Sequence, residues 1–471
     1  MNYLYKECTK LNHQLITQAD QIINSDHYNP FELQPQEEGD EKDYINYQET
    51  LPSAQNAFQS ICDPNCFAPS KCLTTIYNLV RSKFFVLKDN QQFFDPQFTD
   101  GISRYLLSGQ SDVVVEEAML TIQILWREHP HFNSPLLDPS IVYKIFDVLS
   151  SPNIYLHWQV MKLLFVYFTI TPQTKEFLLQ NDIYIKLRDF LIVTNDPEYI
   201  ETGLNLLYVL LKNEFEENWS EFLQYLPIFP KMLENQSLDN RKKALWGLSI
   251  LIEDNRIFRY CQYYQLHLSI AKCCKNIIDQ TLAYYLYKCV FAFTKRGYIK
   301  TFSNESIFNG IELILREERR DISPIFFTIS LLIDNYSKTL YKHEIYNPCI
   351  KYAREGCFEN KISACYCISK FIIFTPEDSC DILAREVGLE TLCDLIECFG
   401  SKDIIIPLRA FKRLVDLNKV LYCGLMLKCC VQDSLIKKYN EEAILMNENP
   451  QDDVYKEIVA LLCFLNSTLA E

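Results

Sequence analysis

Glycine is nearly missing from this chain: 11 occur in 471 residues, and no two lie closer together than Gly101 and Gly109. Phosphate-cradling loops, dinucleotide fingerprints and strained nucleophile elbows each need glycines within a few residues of one another, so those classes are excluded. The shortage also counts against β-sandwiches and doubly wound α/β folds, whose turns use glycine at positive φ. No C-x-x-C pair occurs among the 19 cysteines, and the seven histidines do not sit beside the closest groupings, Cys62/Cys66/Cys72, Cys273/Cys274, Cys365/Cys367 and Cys429/Cys430. Tandem metal ligation wants short paired spacings with histidine, so neither a metal nor another cofactor is predicted. An odd cysteine count without a secretory signal reads as reduced thiols used as small apolar core residues.

Long apolar runs are lacking too; none approaches the roughly 18 residues that span a bilayer. The opening MNYLYKECTKLNHQ has no basic-then-apolar signal pattern, so membrane insertion is not expected and a cytoplasmic or nuclear location follows by default. Positive charge is in deficit, with 46 Lys+Arg against 61 Asp+Glu and a formal charge of −15. Such a balance disfavours nucleic acid and suits basic protein partners.

What is present is apolar and repetitive. The chain is 48% hydrophobic, enough for a large core, and its length alone suggests about three domains. Four segments, GISRYLLSG, YKIFDVLSS, IKLRDFLIV and IFPKMLENQ, carry Leu107, Leu149, Leu191 and Leu233, each 42 residues after the last. The series continues at Cys274, Leu315, Ala353 and Ile396 with small drift. About ten residues past each mark lies a longer pattern: EEAMLTIQILWREH, LHWQVMKLLFVYF, ETGLNLLYVLLKN, NRKKALWGLSILIEDN, TLAYYLYKCVFAFTKR, ISPIFFTISLLIDN, KISACYCISKFIIF and IIIPLRAFKRLVDL. Apolar residues recur there at i, i+3, i+4 and i+7, the period of a buried helical face. Short links such as SSPNI, VTNDPE and ENQSLDN supply turns and N-caps.

Units of two or three helices near 42 residues cannot bury their faces alone and must stack. The expected fold is therefore all-α, a right-handed superhelical armadillo/HEAT-type solenoid of about eight to nine repeats. The expected organisation is an N-terminal helix and acidic mobile segment over 1–57, capping helices over 58–95, the array over 96–419 and a closing repeat over 420–471. Within this scheme residues 1–24 form a helix, 25–57 are polar and proline-punctuated, and 72–92 are helical.

Two stretches carry a family resemblance. ALWGLSILIEDNRIFRYC, Ala244 to Cys261, resembles the groove-lining third helix of an importin-α armadillo repeat through Ala244, Trp246, Leu248 and Asp254, with Phe258-Arg259 following. Ser330, Leu332, Asp334 and Asn335 repeat the pattern two units on. NEEAILMNENPQDDVYKEIVALL is similar to the last importin-α repeat through Glu448, Asn449, Val454 and Tyr455. The likeness covers roughly 95–468. It implies a nuclear-import adaptor that binds an extended lysine- and arginine-rich localisation signal, with a transport carrier as a further partner. In that family tryptophans sandwich lysine stems, asparagines four residues later hold the peptide backbone, and carboxylates meet the ammonium groups.

The implied binding residues here are Trp246, Ile250, Asp254, Tyr287, Phe291, Phe327 and Leu331. At the asparagine positions stand Ile124, Val166, Val209, Ile250, Phe291, Leu331, Lys370 and Arg413; at the tryptophan positions only Trp246 survives, with Tyr287, Phe327 and Tyr366 as aromatic substitutes. Trp126, Trp158 and Trp219 fall off this ladder. The arginine-rich N-terminal arm is also missing: residues 1–70 hold only Lys6, Lys10 and Lys42, and the first arginine is Arg81. The expected function is a non-enzymatic receptor for a basic peptide. The alternative is an armadillo scaffold without a role in import, whose apolar positions take an amphipathic helix. Catalysis is not expected: Cys261/His267 and Glu317/Glu318 lack a companion motif.

Overall fold

The computed structural model describes residues 47–81, 96–107, 110–128, 139–170, 182–274, 279–303, 305–315, 322–387, 389–394, 396, 404–445 and 453–470. The helix expected over 1–24, Glu317/Glu318 and Glu448/Asn449 lie outside these residues. No strand occurs among the described residues.

The chain divides into two compact units, Asn29–Tyr264 and a body containing Gln265–Glu471, a division that falls inside the predicted 96–419 array. In the first, here the N-terminal unit, the helices are α1 (Tyr47–Cys62), α2 (Pro69–Arg81), α3 (Pro96–Arg104), α4 (Asp112–Glu128), α5 (Pro139–Asp147), α6 (Ile154–Ile170), α7 (Ile183–Val193), α8 (Pro197–Asn218), α9 (Phe229–Leu233), α10 (Leu238–Glu253) and α11 (Asn255–Tyr263). The C-terminal unit holds α12 (Leu266–Cys273), α13 (Gln280–Lys295), α14 (Glu305–Leu315), α15 (Ser323–Lys342), α16 (Tyr346–Glu355), α17 (Phe358–Phe374), α18 (Glu377–Val387), α19 (Leu389–Asp394), α20 (Ile405–Leu417), α21 (Lys419–Lys428), α22 (Val431–Leu445) and α23 (Asp453–Ala470).

All eight long periodic segments are helices. In the N-terminal unit α2, α4, α6, α8 and α10 pack each on the next, and in the C-terminal unit α13, α15, α17, α20 and α23 do the same. These ladder helices make each unit an all-α stack of armadillo/HEAT-type repeats. Their starts are set by local chemistry. Asn153 accepts from the Tyr155 amide, and Asp196, Ser237 and Asp279 cap α8, α10 and α13 through their side-chain oxygens. Successive caps are therefore 43, 41 and 42 residues apart, so the repeat is written in its N-caps as well as its apolar pattern.

A ladder helix is flanked on both sides and buries more than one stripe. On α6, Leu156, Val160, Met161, Leu163, Leu164, Tyr167 and Phe168 are all buried, and each large apolar side chain removed from water contributes about 1.5–3 kcal/mol. Cations tie successive repeats together. The Arg104 guanidinium donates to the carbonyls of Ile61 and Cys62 at 3.1 and 2.8 Å, at the end of α1. Lys231 donates to Ile192 and Thr194 at 2.9 and 2.7 Å, at the end of α7, and Arg413 to Thr375 at 2.6 Å, beyond the end of α17. Orphan carbonyls at helix C-termini attract positive charge, so these side chains belong to the scaffold.

Two expectations need correction. Residues 47–57, assigned to the mobile segment, begin α1, because Ala57, Phe58 and Ile61 form an apolar face that is buried against the stack. The marks Leu107 and Leu149 do not occupy the buried place held by Leu191 and Leu233: Leu107 is 43% exposed in a turn, and Leu149 is half-buried in a 3₁₀ segment. The position buried throughout is one residue earlier, at Leu106, Val148, Phe190 and Met232. The 42-residue step stands, with its register moved by one residue.

Candidate functional site

Trp246 lies on α10, half-buried, with its ring 4.3 Å from that of Tyr208 on α8 and tilted by 49° to it. Ile250, one turn further on, is also half-buried. Asp254 is not a groove carboxylate. It caps α11, accepting from the Arg256 amide at 2.6 Å, and its oxygens take the Arg256 guanidinium at 2.6–3.1 Å. Partial burial opposes its charge, but the hydrogen bonds and charge of Arg256 win and hold its carboxyl below the usual carboxylate range. A short polar residue just past a helix end is the natural cap for the next helix, and that local demand takes this side chain.

The other four predicted residues belong to the C-terminal unit. Phe291 on α13 and Phe327 on α15 are half-buried, their rings 5.8 Å apart, and Leu331 is half-buried one turn beyond Phe327. Tyr287 is wholly buried and its hydroxyl donates to the Ile307 carbonyl, which removes it from any binding face. The reason is register. Counted from the caps Asn153, Asp196, Ser237 and Asp279, the ninth residue is Lys162, Asn205, Trp246 and Lys288. Lys288 therefore holds the place of Trp246, and Tyr287, one residue or about 100° around the helix, turns into the core. Over these four repeats the level carries no tryptophan ladder; its rungs are lysine, asparagine, tryptophan and lysine.

Trp158, off the expected ladder, shows what this level can do. The Lys162 ammonium stands 3.5 Å from the centroid of its ring and 3.6 Å from Glu198. The indole N–H donates to Thr202 at 2.9 Å, and Tyr199 stacks on the ring at 4.9 Å. Burial pulls the Lys162 ammonium below the ordinary lysine range against the opposing pull of Glu198. Lysine, indole and carboxylate are thus assembled from one chain. The signal that finds this arrangement in sequence is tryptophan followed by lysine four residues on, with a glutamate two places after the next cap.

Charge separates the two ladders. Helices α2, α4, α6, α8 and α10 contain eight Lys/Arg and eleven Asp/Glu. Helices α13, α15, α17, α20 and α23 contain ten and five. The chain's acid excess is reversed on the second set.

No family model matches the sequence, and no curated protein does. Among solved structures, a crystal structure of an engineered protein from the Northeast Structural Genomics Consortium is similar over 89% of this chain and 99% of its own, at 12% identity and a TM-score of 0.57. A designed armadillo repeat protein aligns over 51% of this chain and 100% of its own, at 14% identity and a TM-score of 0.40. The first likeness is one of fold. No cluster of His, Cys, Asp and Glu suited to a metal occurs among the described residues, and no described helix is long and apolar enough to cross a membrane.

Proposed function

We propose that the chain is a non-catalytic, protein-binding repeat scaffold, and that the ladder face of its N-terminal unit receives an extended, lysine-bearing segment of a partner. The half-buried Trp246–Tyr208 pair carries this reading. A lysine stem packs on such a pair while its ammonium pairs with a carboxylate. Lys162, Trp158 and Glu198 already make that contact within the chain. A basic localisation signal is one segment of this kind, and nuclear import is the role that the importin-α resemblance attaches to it. Valine and isoleucine stand where asparagines would hold a peptide backbone, so side chains supply the affinity and dissociation is fast.

The test is fluorescence anisotropy of a lysine-rich peptide with the full chain at low salt. Trp246→Ala is expected to weaken binding about tenfold or more, and added salt to weaken it steeply. Asp254→Ala is expected to leave it unchanged, because that carboxylate serves Arg256. Undiminished binding by the Trp246 variant, or no binding by the intact chain, overturns the reading.

A further inference from the structure

The C-terminal unit presents the opposite chemistry on the same kind of face. Its ladder helices hold ten Lys/Arg against five Asp/Glu in a chain of 46 against 61. The excess is placed in a pattern. Three times an aromatic residue is followed four places later by a lysine whose ammonium stands over its ring: Lys288 over Tyr284 at 5.3 Å, Lys295 over Phe291 at 5.8 Å and Lys370 over Tyr366 at 5.8 Å. Spacing of four puts both members on one helical face. Tyr284, Lys288, Phe291, Lys295 and Tyr366 are all half-buried, with one side toward solvent. Phe327 and Leu331 continue the apolar surface from Phe291.

On α20 Arg409 and Lys412 both approach the carboxylate of Glu457, at 3.6 and 3.2 Å, two cations on one acid. Lys370 is engaged within the ladder, by both oxygens of Asp334 at 2.7 and 2.8 Å and by the Ser330 carbonyl at 2.9 Å. A lysine-rich ligand would meet ammonium groups on the very aromatic faces it needs. A carboxylate would instead find an ammonium already held above a ring, with an apolar surface beside it for an anchor.

Resting on the ladder faces being binding surfaces, we propose that the ladder face of the C-terminal unit binds an acidic protein segment, in which carboxylates flank an aromatic or aliphatic anchor. The carboxylates pair with Lys288 and Lys295, and the anchor lies against Phe291, Phe327 and Leu331. Nucleic acid is the other polyanion with the chemistry for a basic, aromatic face. The chain's charge of −15 repels a uniform polyanion at long range while leaving a short acidic peptide to be captured locally.

The experiment uses the full chain and two fluorescein-labelled peptides, one of glutamates around a Phe-Leu core and one lysine-rich. Lys288→Glu with Lys295→Glu is expected to weaken the acidic peptide about tenfold or more and to leave the lysine-rich one undiminished. Trp246→Ala is expected to do the reverse, so the two readings fail separately. The conservative Lys288→Arg with Lys295→Arg keeps the charge and is expected to retain acidic-peptide binding, which separates recognition from a folding defect, with circular dichroism confirming the helical fold. The proposal falls if the intact chain does not bind the acidic peptide at low salt. It falls equally if charge reversal leaves binding unchanged, or if a single-stranded oligonucleotide displaces the peptide from this face.

Discussion

The ammonium of Lys162 rests 3.5 Å above the indole of Trp158 and 3.6 Å from the carboxylate of Glu198. Trp158 stands five residues past its cap and Trp246 nine past its own, so the two indoles lie at different levels of their helices, and it is Lys162 that holds the place of Trp246.

Lys162→Ala is therefore expected to act in two directions. It removes a cation–π contact and a partly exposed ion pair, which costs about 1 kcal/mol or less. It also uncovers a second indole beside Glu198, so affinity for a lysine-rich peptide should rise. Urea unfolding and anisotropy on one preparation check both; weaker peptide binding would mean that Lys162 helps to build the face.

Lys370 and Asp334 form an ion pair buried on the lysine side only, with the Lys370 side chain 8% exposed and that of Asp334 38%. Removing the acid leaves the buried ammonium on the Ser330 carbonyl without its counter-charge. Asp334→Asn should cost about 1–3 kcal/mol, while Lys370→Met, which removes the buried charge, should cost less. The double variant should fall short of the sum. Denaturant midpoints in the reverse order would contradict this account.

The repeat was legible because its causes are local: apolar residues at helical spacing and short capping side chains recur every 41–43 residues, and both survive without homologues to compare. Cysteine burial was legible only in part: Cys274, Cys289, Cys349, Cys365 and Cys367 occupy core positions, but Cys357, Cys430 and Cys463 are exposed. The site was less so. Aligning aromatic residues puts Tyr287 in the groove, yet a shift of one residue turns a side chain by about 100°, and only the cap at Asp279 fixes the count. Asp254 reads as a groove carboxylate because an acid at the end of one helix serves equally as the cap of the next, and its neighbour Arg256 decides the matter. Lys162, Lys288, Lys295 and Lys370 are written with their rings as i, i+4 pairs, but a search for tryptophan and asparagine passes over them.

Gly101 marks a tight contact between early repeats. A Cβ there would lie 2.6 Å from the carbonyl oxygen of Ile61, a backbone atom that also accepts from Arg104. Gly101→Ala must push α3 off α1 and should cost about 1–3 kcal/mol. Gly424, inside α21, is the control, because a Cβ added there would meet nothing within 4 Å. Alanine there should stabilise by about 0.5–1 kcal/mol through helix propensity. Equal melting temperatures for the two variants would show that the α1–α3 approach is not rigid.

The corner between α10 and α11 should be sensitive to acid through Asp254. Its folded carboxyl lies below its ordinary value of 3.8, burial being outweighed by Arg256. A depressed acid contributes stability that is present above the unfolded value and is lost as pH falls through the folded one. The corner should therefore hold at pH 5 and loosen only in strong acid, below about 3.8, rather than near neutrality. Amide exchange at Arg256, Ile257 and Phe258 reports it directly, since the first of these amides donates to the Asp254 carboxylate. Asp254→Ala should cost about 1 kcal/mol at neutral pH as a lost cap, and it should flatten the acid response of these amides. If the alanine variant loosened at the same pH as the parent, the acid sensitivity would belong to another group, and Asp254 would again be open to a part in ligand binding.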